Sequence, residues 1–233
     1  MKILAIIPAR SGSKGIKNKN IIDFDGKPLI YWTIFAALKS ESIDRVIVST
    51  DSKKIRDTSL KYGASVPFLR PKRLSGDEAS TLSAVKFTMK KLEKDENYFS
   101  DYIITLQPTS PLRNKQNIEE AINLILNDKK ADSLVSCVNV PHNFLPESLM
   151  KLHGKYLRNF SNKNKSTRRQ DKKKLIARNG AAIYITKSKE INKYILGGKI
   201  LPYFMDYKNS IDIDTKEDLE IASLFKKFLK LKD

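Results

Sequence analysis

The residues best suited to chemistry form a loop near the start of the chain, at residues 7–20. Gly12 and Gly15 let its backbone turn successive N–H groups towards one anion. Charge around that anion comes from four side chains: Arg10, Lys14, Lys17 and Lys19. Neither the Walker A pattern nor the G-x-G-x-x-G dinucleotide fingerprint fits these residues, which argues against an ATPase or a dehydrogenase. The loop predicts a phosphate site, and the alternative is an ordinary Gly/Ser turn with surface lysines.

The second candidate is an acidic pair near the other end of the chain, Asp212 and Asp214. In extended backbone, side chains two residues apart project from the same side, so both carboxylates could hold one divalent cation. Magnesium suits such a pair because it takes one or two carboxylates and completes its shell with water and substrate phosphates. The alternative is structural: Asp214 precedes Thr215, and Glu217 and Asp218 follow, so the pair could cap the last helix.

Positive charge is concentrated in one segment of this 233-residue chain. The net charge is +18, and residues 151–178 contain eleven Lys or Arg and a single acid, Asp171. A nucleic-acid interface would interleave aromatic residues for base stacking, and only Tyr156 and Phe160 are available there. We therefore expect the segment to face a small anion or a partner subunit, and the remaining basicity to be an ordinary solvated surface.

Composition also bears on location and on covalent chemistry. No apolar run approaches the roughly 20 residues that span a bilayer, and Pro8 and Arg10 interrupt the apolar start too early for a signal peptide. We therefore expect a cytoplasmic protein without a membrane partner. The single cysteine, Cys137, excludes an internal disulfide and a Cys-based zinc site of the usual ligand number.

The elements that must position these residues alternate along the chain. Strands are expected at residues 3–7, 45–49, 102–106, 133–138, 181–186 and 200–205, and helices at 29–39, 52–62, 81–92, 116–126, 188–195 and 215–231. The alternation predicts an α/β fold with a mostly parallel sheet covered on both faces. Residues 139–177 break it and are expected to be an insertion within one domain, residues 1–233. Ligands of open α/β sheets bind beyond the carboxyl ends of strands, so chemistry is expected in the loops there.

Six short blocks along the chain together resemble one enzyme family. They are I-I-P-A-R-S-G-S-K-G with K-N-K-N (6–20), S-T-D (49–51), R-P with L-S-G-D-E-A-S-T (70–81), L-Q-P-T-S-P-L-R (106–113), N-G-A-A-I-Y-I (179–185) and S-I-D-I-D-T (210–215). In this order they resemble the N-acylneuraminate cytidylyltransferases, or CMP-sialic acid synthetases. The resemblance implies a Rossmann-like nucleotidyltransferase sheet and transfer of CMP from CTP to the anomeric hydroxyl of a nonulosonic acid. It also implies pyrophosphate release, Mg²⁺, a homodimer and a role in making sialic-acid-containing cell-surface polysaccharides.

The same resemblance implies roles for individual residues. The nucleotide-binding set is Ala9, Arg10, Ser11, Gly12, Lys19, Asn20, Arg70, Ala79 and Thr81. The sugar contacts are Gln107, Arg169 and Arg178, with further contacts and the dimer interface in residues 139–177, and the metal ligands are Asp212 and Asp214. Arg10, Lys19 and Asp214 form the catalytic set. Fixed positive charge at Arg10 and Lys19 suits the charge that builds on leaving pyrophosphate.

The identity of the sugar stays open. Residues 141–147 lack the histidine, proline and lysine grouping often found in members that act on N-acetylneuraminate, and Ile195 and Leu196 stand where those members carry two aromatics. Legionaminic acid therefore fits as well as N-acetylneuraminate. Two further alternatives are a cytidylyltransferase for another sugar acid, such as a 3-deoxy-octulosonate, and a non-catalytic nucleic-acid-binding protein that uses the basic segment.

Overall fold

The computed structural model describes residues 1–13, 15–160, 174–180 and 182–230. The predicted site residue Arg169, the loop cation Lys14 and the expected element ends at 181 and 231 lie outside these ranges. The strands are β1 Ile3–Pro8, β2 Asp23–Phe24, β3 Lys27–Pro28, β4 Arg45–Ser49, β5 Tyr102–Thr105, β6 Ser133–Asn139, β7 Met150–His153, β8 Tyr156–Asn159, β9 Ile176–Arg178, β10 Tyr184–Lys187 and β11 Ile200–Phe204. The α-helices are α1 Leu29–Leu38, α2 Lys53–Lys61, α3 Thr81–Glu96, α4 Lys115–Asn127 and α5 Lys216–Lys230.

The main sheet has the order β11-β6-β10-β5-β1-β4, and β9 pairs with β6. Strands β4, β1 and β5 are parallel, β11 is parallel to β6, and β10 is antiparallel to both β5 and β6. The predicted mostly parallel α/β sheet is therefore confirmed. Because β10 runs in the opposite sense, its entry lies at the same edge as the exits of β1, β4, β5, β6 and β11. That edge collects the loops expected to carry chemistry.

Buried apolar residues cover both faces of the sheet. In β1 the side chains alternate, so that Ile3, Ala5 and Ile7 pack with α1 and α4, while Leu4 and Ile6 pack with α3. A third cluster joins α5 to the β2–β3 hairpin, and it includes Ile211 and Ile213 on either side of Asp212. Burial of these two isoleucines fixes the path of the acidic pair.

All six expected strands occur, as do five of the six expected helices. The helix expected at 188–195 is wrong: among the described residues there is only a 3-10 turn, Ser188–Glu190. Two hydroxyl groups of neighbouring strands donate hydrogen bonds to carbonyls at and just beyond the end of this segment. Thr186 Oγ1 donates to Ile195 O, and Ser133 Oγ donates to Gly197 O. These tertiary hydrogen bonds join the end of the segment to β10 and β6 and so set its path beside the sheet.

The segment expected as an insertion leaves the sheet after β6 and returns through β9, which pairs antiparallel with β6. Between them, β7 and β8 form a two-stranded hairpin whose eight residues are all exposed. In the described part of the chain, no helix is long and apolar enough to cross a membrane.

Candidate active site

The loop after β1 is anchored from two sides. Asp51, in the loop after β4, accepts hydrogen bonds from Ser11 N at 2.9 Å and Ser11 Oγ at 2.6 Å. On the other side, Asn20 is buried and its Nδ2 donates to Arg10 O at 2.9 Å. These contacts hold the backbone at Arg10 in one conformation, whereas Gly12 is exposed and open on the surface. The loop is thus a positioned element rather than a free surface turn.

A cavity of about 230 Å³ lies beside this loop. Five predicted site residues line it: Arg10, Arg70, Ala79, Thr81 and Gln107. Gln107 was expected at the sugar, yet it shares this cavity with residues expected at the nucleotide, and its Nε2 lies 3.5 Å from Thr81 Oγ1. Arg10 Nη1 donates to Gly76 O at 2.8 Å and meets Asp77 Oδ1 at 3.1 Å.

Arg70 is the buried cation of that cavity, with 6% of its surface exposed. Its backbone N donates to Thr50 O at 2.7 Å and its Nε donates to Ser75 Oγ at 3.0 Å. Burial lowers the pKa of Arg70, the carboxylate of Asp51 opposes that change, and the nearby charge of Arg10 adds to it. Two guanidinium groups and one carboxylate, that of Asp77, line this cavity, so its net charge is positive and favours an anion.

The acidic pair meets the loop through Lys19. Lys19 Nζ donates to Asp214 Oδ1 at 2.7 Å and to Ile213 O at 2.9 Å. The helix cap belongs to other residues: Asp218 N donates to Thr215 Oγ1, and Asp218 Oδ2 accepts from Thr215 N at 2.8 Å. Capping therefore leaves the Asp214 carboxylate available to ligands at this edge.

Asp212 is the less exposed member of the pair, and its Oδ1 is buried with no hydrogen-bond partner among the described residues. Burial raises the pKa of Asp212, and the charge of Asp214 raises it further, although a hydrogen bond from Thr109 opposes this. Gly180, at φ +63°, packs so closely that a Cβ there would lie 2.3 Å from Asp212 Oδ2. Asp212 therefore has a buried oxygen without a hydrogen-bond partner in the described part of the chain, and only glycine can be accommodated at position 180 beside its carboxylate. These two features fit a carboxylate that binds a cation.

Asn179 orders the turn that carries Gly180. It is buried, its Oδ1 accepts from Ser136 Oγ at 2.6 Å, and its Nδ2 donates to Ser210 Oγ at 2.9 Å. The neighbouring Arg178 is exposed at the end of β9, where its guanidinium is open to a ligand. Within the described residues there is no group of three or more His, Cys, Asp or Glu that could hold a metal, but two carboxylates are enough for magnesium.

Sequence patterns gave no role to three residues that organise the site: Asp51, Asn179 and Arg113. Arg113 is fully buried, and its guanidinium donates to Ala182 O at 2.6 Å, to Gln107 O at 3.3 Å and to Thr33 Oγ1 at 2.7 Å. Burial lowers the pKa of Arg113 to about 9. The available signal was its place as the last residue of the 106–113 block, which does not by itself indicate burial.

Comparisons with known proteins identify the family and the fold. A family model described as "Cytidylyltransferase" matches residues 4–232. The chain is 36% identical over 225 residues to the N-acylneuraminate cytidylyltransferase of Escherichia coli O18:K1:H7, covering 95% of this chain but 51%, about half, of that relative's length. It is 35% identical over 229 residues to the pseudaminic acid cytidylyltransferase of Campylobacter jejuni serotype O:23/36, covering 97% of both. A solved CMP:2-keto-3-deoxy-manno-octonic acid synthetase complexed with CTP has the same fold, with a TM-score of 0.72 and 17% identity over 97% of this chain and 99% of that one.

Proposed function

Because the chain belongs to the cytidylyltransferase family, we propose that it transfers CMP from CTP to the anomeric hydroxyl of a nonulosonic acid, releasing pyrophosphate. One observation carries the proposal. Consecutive residues join the two halves of the site, because Lys19 contacts Asp214 while Asn20 holds the backbone of Arg10. A single triphosphate could therefore lie between the loop cations and the acidic pair.

The proposed reaction is one in-line displacement. The anomeric oxygen forms a bond to the α-phosphorus of CTP, its proton passes to water, and the bond from that phosphorus to the pyrophosphate leaving group breaks. Arg10 and Lys19 supply fixed positive charge to the leaving group, whose negative charge grows in the transition state. No covalent intermediate on the enzyme is required, because both substrates can lie on the same edge of the sheet.

The nucleoside is assigned to the cavity beside Arg10. The cavity is lined by Ala79 and Thr81, whose backbone and hydroxyl groups could make the hydrogen bonds that distinguish cytosine from other bases. Arg70 supplies buried positive charge close to the ribose and phosphates. Arg178 is assigned to the sugar acid, whose carboxylate suits a guanidinium. Gln107 is also assigned to the sugar, and because it lines the nucleoside cavity this assignment places the sugar directly beside the nucleotide.

Magnesium is proposed at Asp212 and Asp214, whose oxygen atoms are the ligand type this ion prefers. When bound there, the ion would supply Lewis-acid stabilisation of the phosphate oxygens. Asp212 Oδ1 provides the support for this assignment, since it is buried with no partner among the described residues.

Pyrophosphate release over a panel of acceptors tests the proposed function. With CTP, we expect pyrophosphate release with at least one of N-acetylneuraminate, legionaminate and pseudaminate. Its kcat/KM should be at least tenfold higher than that for a 3-deoxy-octulosonate, which has one carbon fewer than these nine-carbon acids. ATP in place of CTP is the matched nucleotide control and should give little release. A preference for the octulosonate would transfer the assignment to that sugar acid. No release with any acceptor, together with salt-sensitive binding to duplex DNA, would favour the nucleic-acid alternative.

Removal of divalent ions tests the metal assignment. Excess EDTA should abolish pyrophosphate release, and added Mg²⁺ should restore it, because without the cation the two carboxylates would repel the triphosphate. Circular dichroism before and after chelation is the control for the fold. Turnover that continues in EDTA would remove the role proposed for the acidic pair.

A homodimer is proposed through the hairpin of β7 and β8. This surface exposes a group of large apolar residues: Met150, Leu152, Tyr156, Leu157 and, directly after β8, Phe160. Leu152 and Leu157 are paired across the hairpin and are 73% and 61% exposed, more than a monomer surface usually leaves on neighbouring leucines. Sedimentation at micromolar concentration should therefore show a dimer.

The paired change Leu152→Glu with Leu157→Glu should shift that equilibrium to monomer, because it buries two carboxylates in the interface. Leu60→Glu, at an exposed site on α2, is the matched control and should leave the dimer intact. A monomeric parent would contradict the proposal.

The insertion within a single domain, the cytoplasmic location and the polysaccharide pathway stay predictions.

A further inference from the structure

A second cavity, of about 490 Å³, lies between α1, the loop after β5, the 3-10 turn Tyr207–Ser210 and α5. We propose that it binds a small amphipathic carboxylate, with an apolar body against the cavity wall and the carboxylate among its lysines. None of the residues lining the cavity beside Arg10 lines this one. It is therefore a separate site, and its argument does not depend on the proposed reaction.

The apolar part of the wall suits a hydrocarbon or ring. It is formed by Trp32, Phe35, Leu112 and Leu229. Phe35 is 45% exposed although it lies in the middle of α1, so a large apolar surface is left in contact with water. The cavity volume is within the range of sites that hold small organic ligands. Burial of that aromatic surface would supply the nonpolar part of the binding free energy.

The described charged residues that line the cavity are all cationic, although two of them have acidic partners outside the lining: Lys115 Nζ lies 2.7 Å from Glu41 Oε1, and Lys208 Nζ lies 3.9 Å from Asp206 Oδ2. Four lysines line the cavity, namely Lys39, Lys115, Lys208 and Lys226, and the described lining residues include no acid. Lys226 Nζ lies 4.0 Å from the centroid of the Trp32 ring, so positive charge and aromatic surface are adjacent. A ligand that combines an apolar body with a negative group complements both.

A buried cation behind this wall is a second, independent indication. Arg113 lines the cavity and is 1% exposed, and its Nε is buried with no hydrogen-bond partner among the described residues. Within the described ranges, the other guanidinium nitrogens donate only to the neutral acceptors Ala182 O, Gln107 O and Thr33 Oγ1. A buried charge with neutral partners is costly, and a nearby anion reduces that cost. A carboxylate serves better than a neutral polar group because it also accepts charge-assisted hydrogen bonds.

Trp32 is the only tryptophan of the chain and reports directly on occupancy. Decanoate below its micelle concentration, titrated against the intact protein, should change Trp32 emission saturably and raise Tm, because a ligand that binds the folded chain stabilises it. 1-Decanol has the same chain without the charge and should bind at least about tenfold more weakly. Equal effects of the two would show apolar adsorption and overturn the proposal, as would the absence of saturation.

Two paired variants test where the ligand binds. Lys39→Gln with Lys208→Gln removes charge from the cavity and should weaken decanoate binding about tenfold. Lys53→Gln with Lys54→Gln removes the same charge from the exposed start of α2 and should change it less than about twofold. An equal loss of decanoate affinity in both paired variants would indicate general electrostatic attraction. A Trp32 emission that changes with protein concentration in the absence of ligand would assign the cavity to a second copy of the chain. Either result would overturn the proposal.

Discussion

Arg10→Ala is expected to lower kcat for pyrophosphate release about a thousandfold while leaving the fold intact. The loss should appear mainly in kcat, because the leaving group carries more negative charge in the transition state than in bound CTP. The backbone at this position should not move, since Asn20 Nδ2 holds Arg10 O and the substitution removes only the side chain. Its contact with Asp77 is a partly exposed ion pair, worth at most about 1 kcal/mol of stability.

Two further variants separate catalysis from general charge loss. Arg10→Lys restores a point charge but not the planar fork, so we expect a turnover between those of the parent and the alanine variant. Arg56→Ala is the matched control, because Arg56 also forms a partly exposed ion pair, with Asp57, but lies on α2 away from the site. Near-parent turnover in folded Arg10→Ala would contradict the role assigned to this residue. An equal loss in Arg56→Ala would point instead to long-range electrostatics.

Local pattern predicted most of the fold because element type depends on short-range periodicity. The strand at 45–49 was located to the residue, and β1 differs only by the inclusion of Pro8. The reversed direction of β10 and the return through β9 depend on pairing with distant strands, which no local period encodes. The path of residues 188–197 likewise depends on distant partners, because hydrogen bonds from Thr186 and Ser133 join its end to β10 and β6.

In the candidate site, too, the sequence indicated the residues in local motifs but not those whose roles depend on distant contacts. Motif spacing and the family resemblance indicated Arg10, Lys19 and the acidic pair, and the family itself is confirmed by the match over residues 4–232. The residues that hold those groups in place were not indicated. Asp51 contacts a residue 40 positions away and Asn179 contacts residues 43 and 31 positions away, so their roles exist only in the folded chain.

The charge of Asp212 affects both the proposed function and the free energy of unfolding, because this carboxylate lies where burial makes a charge unfavourable. Burial raises its pKa, so between the ordinary aspartate pKa and this raised value the folded state binds more protons than the unfolded state. The free energy of unfolding therefore falls as pH rises through that interval and stays lower above it. A neutral side chain of the same shape avoids this cost. The charge thus lowers stability in the metal-free protein, a cost that a functional site can retain.

Asp212→Asn is accordingly expected to lose activity without losing stability. Turnover should fall about a thousandfold, because one carboxylate of the proposed magnesium site is lost. In EDTA, Tm of the variant should equal or exceed that of the parent at pH 7, and the difference should grow as pH rises through the raised pKa of Asp212. Thermal melts across pH and pyrophosphate release measure the two effects separately. Asp57→Asn, an exposed change on α2, is the control for both. A variant that melts well below the parent at every pH would show that Asp212 supports the fold, and one with parental turnover would show that its charge is not used.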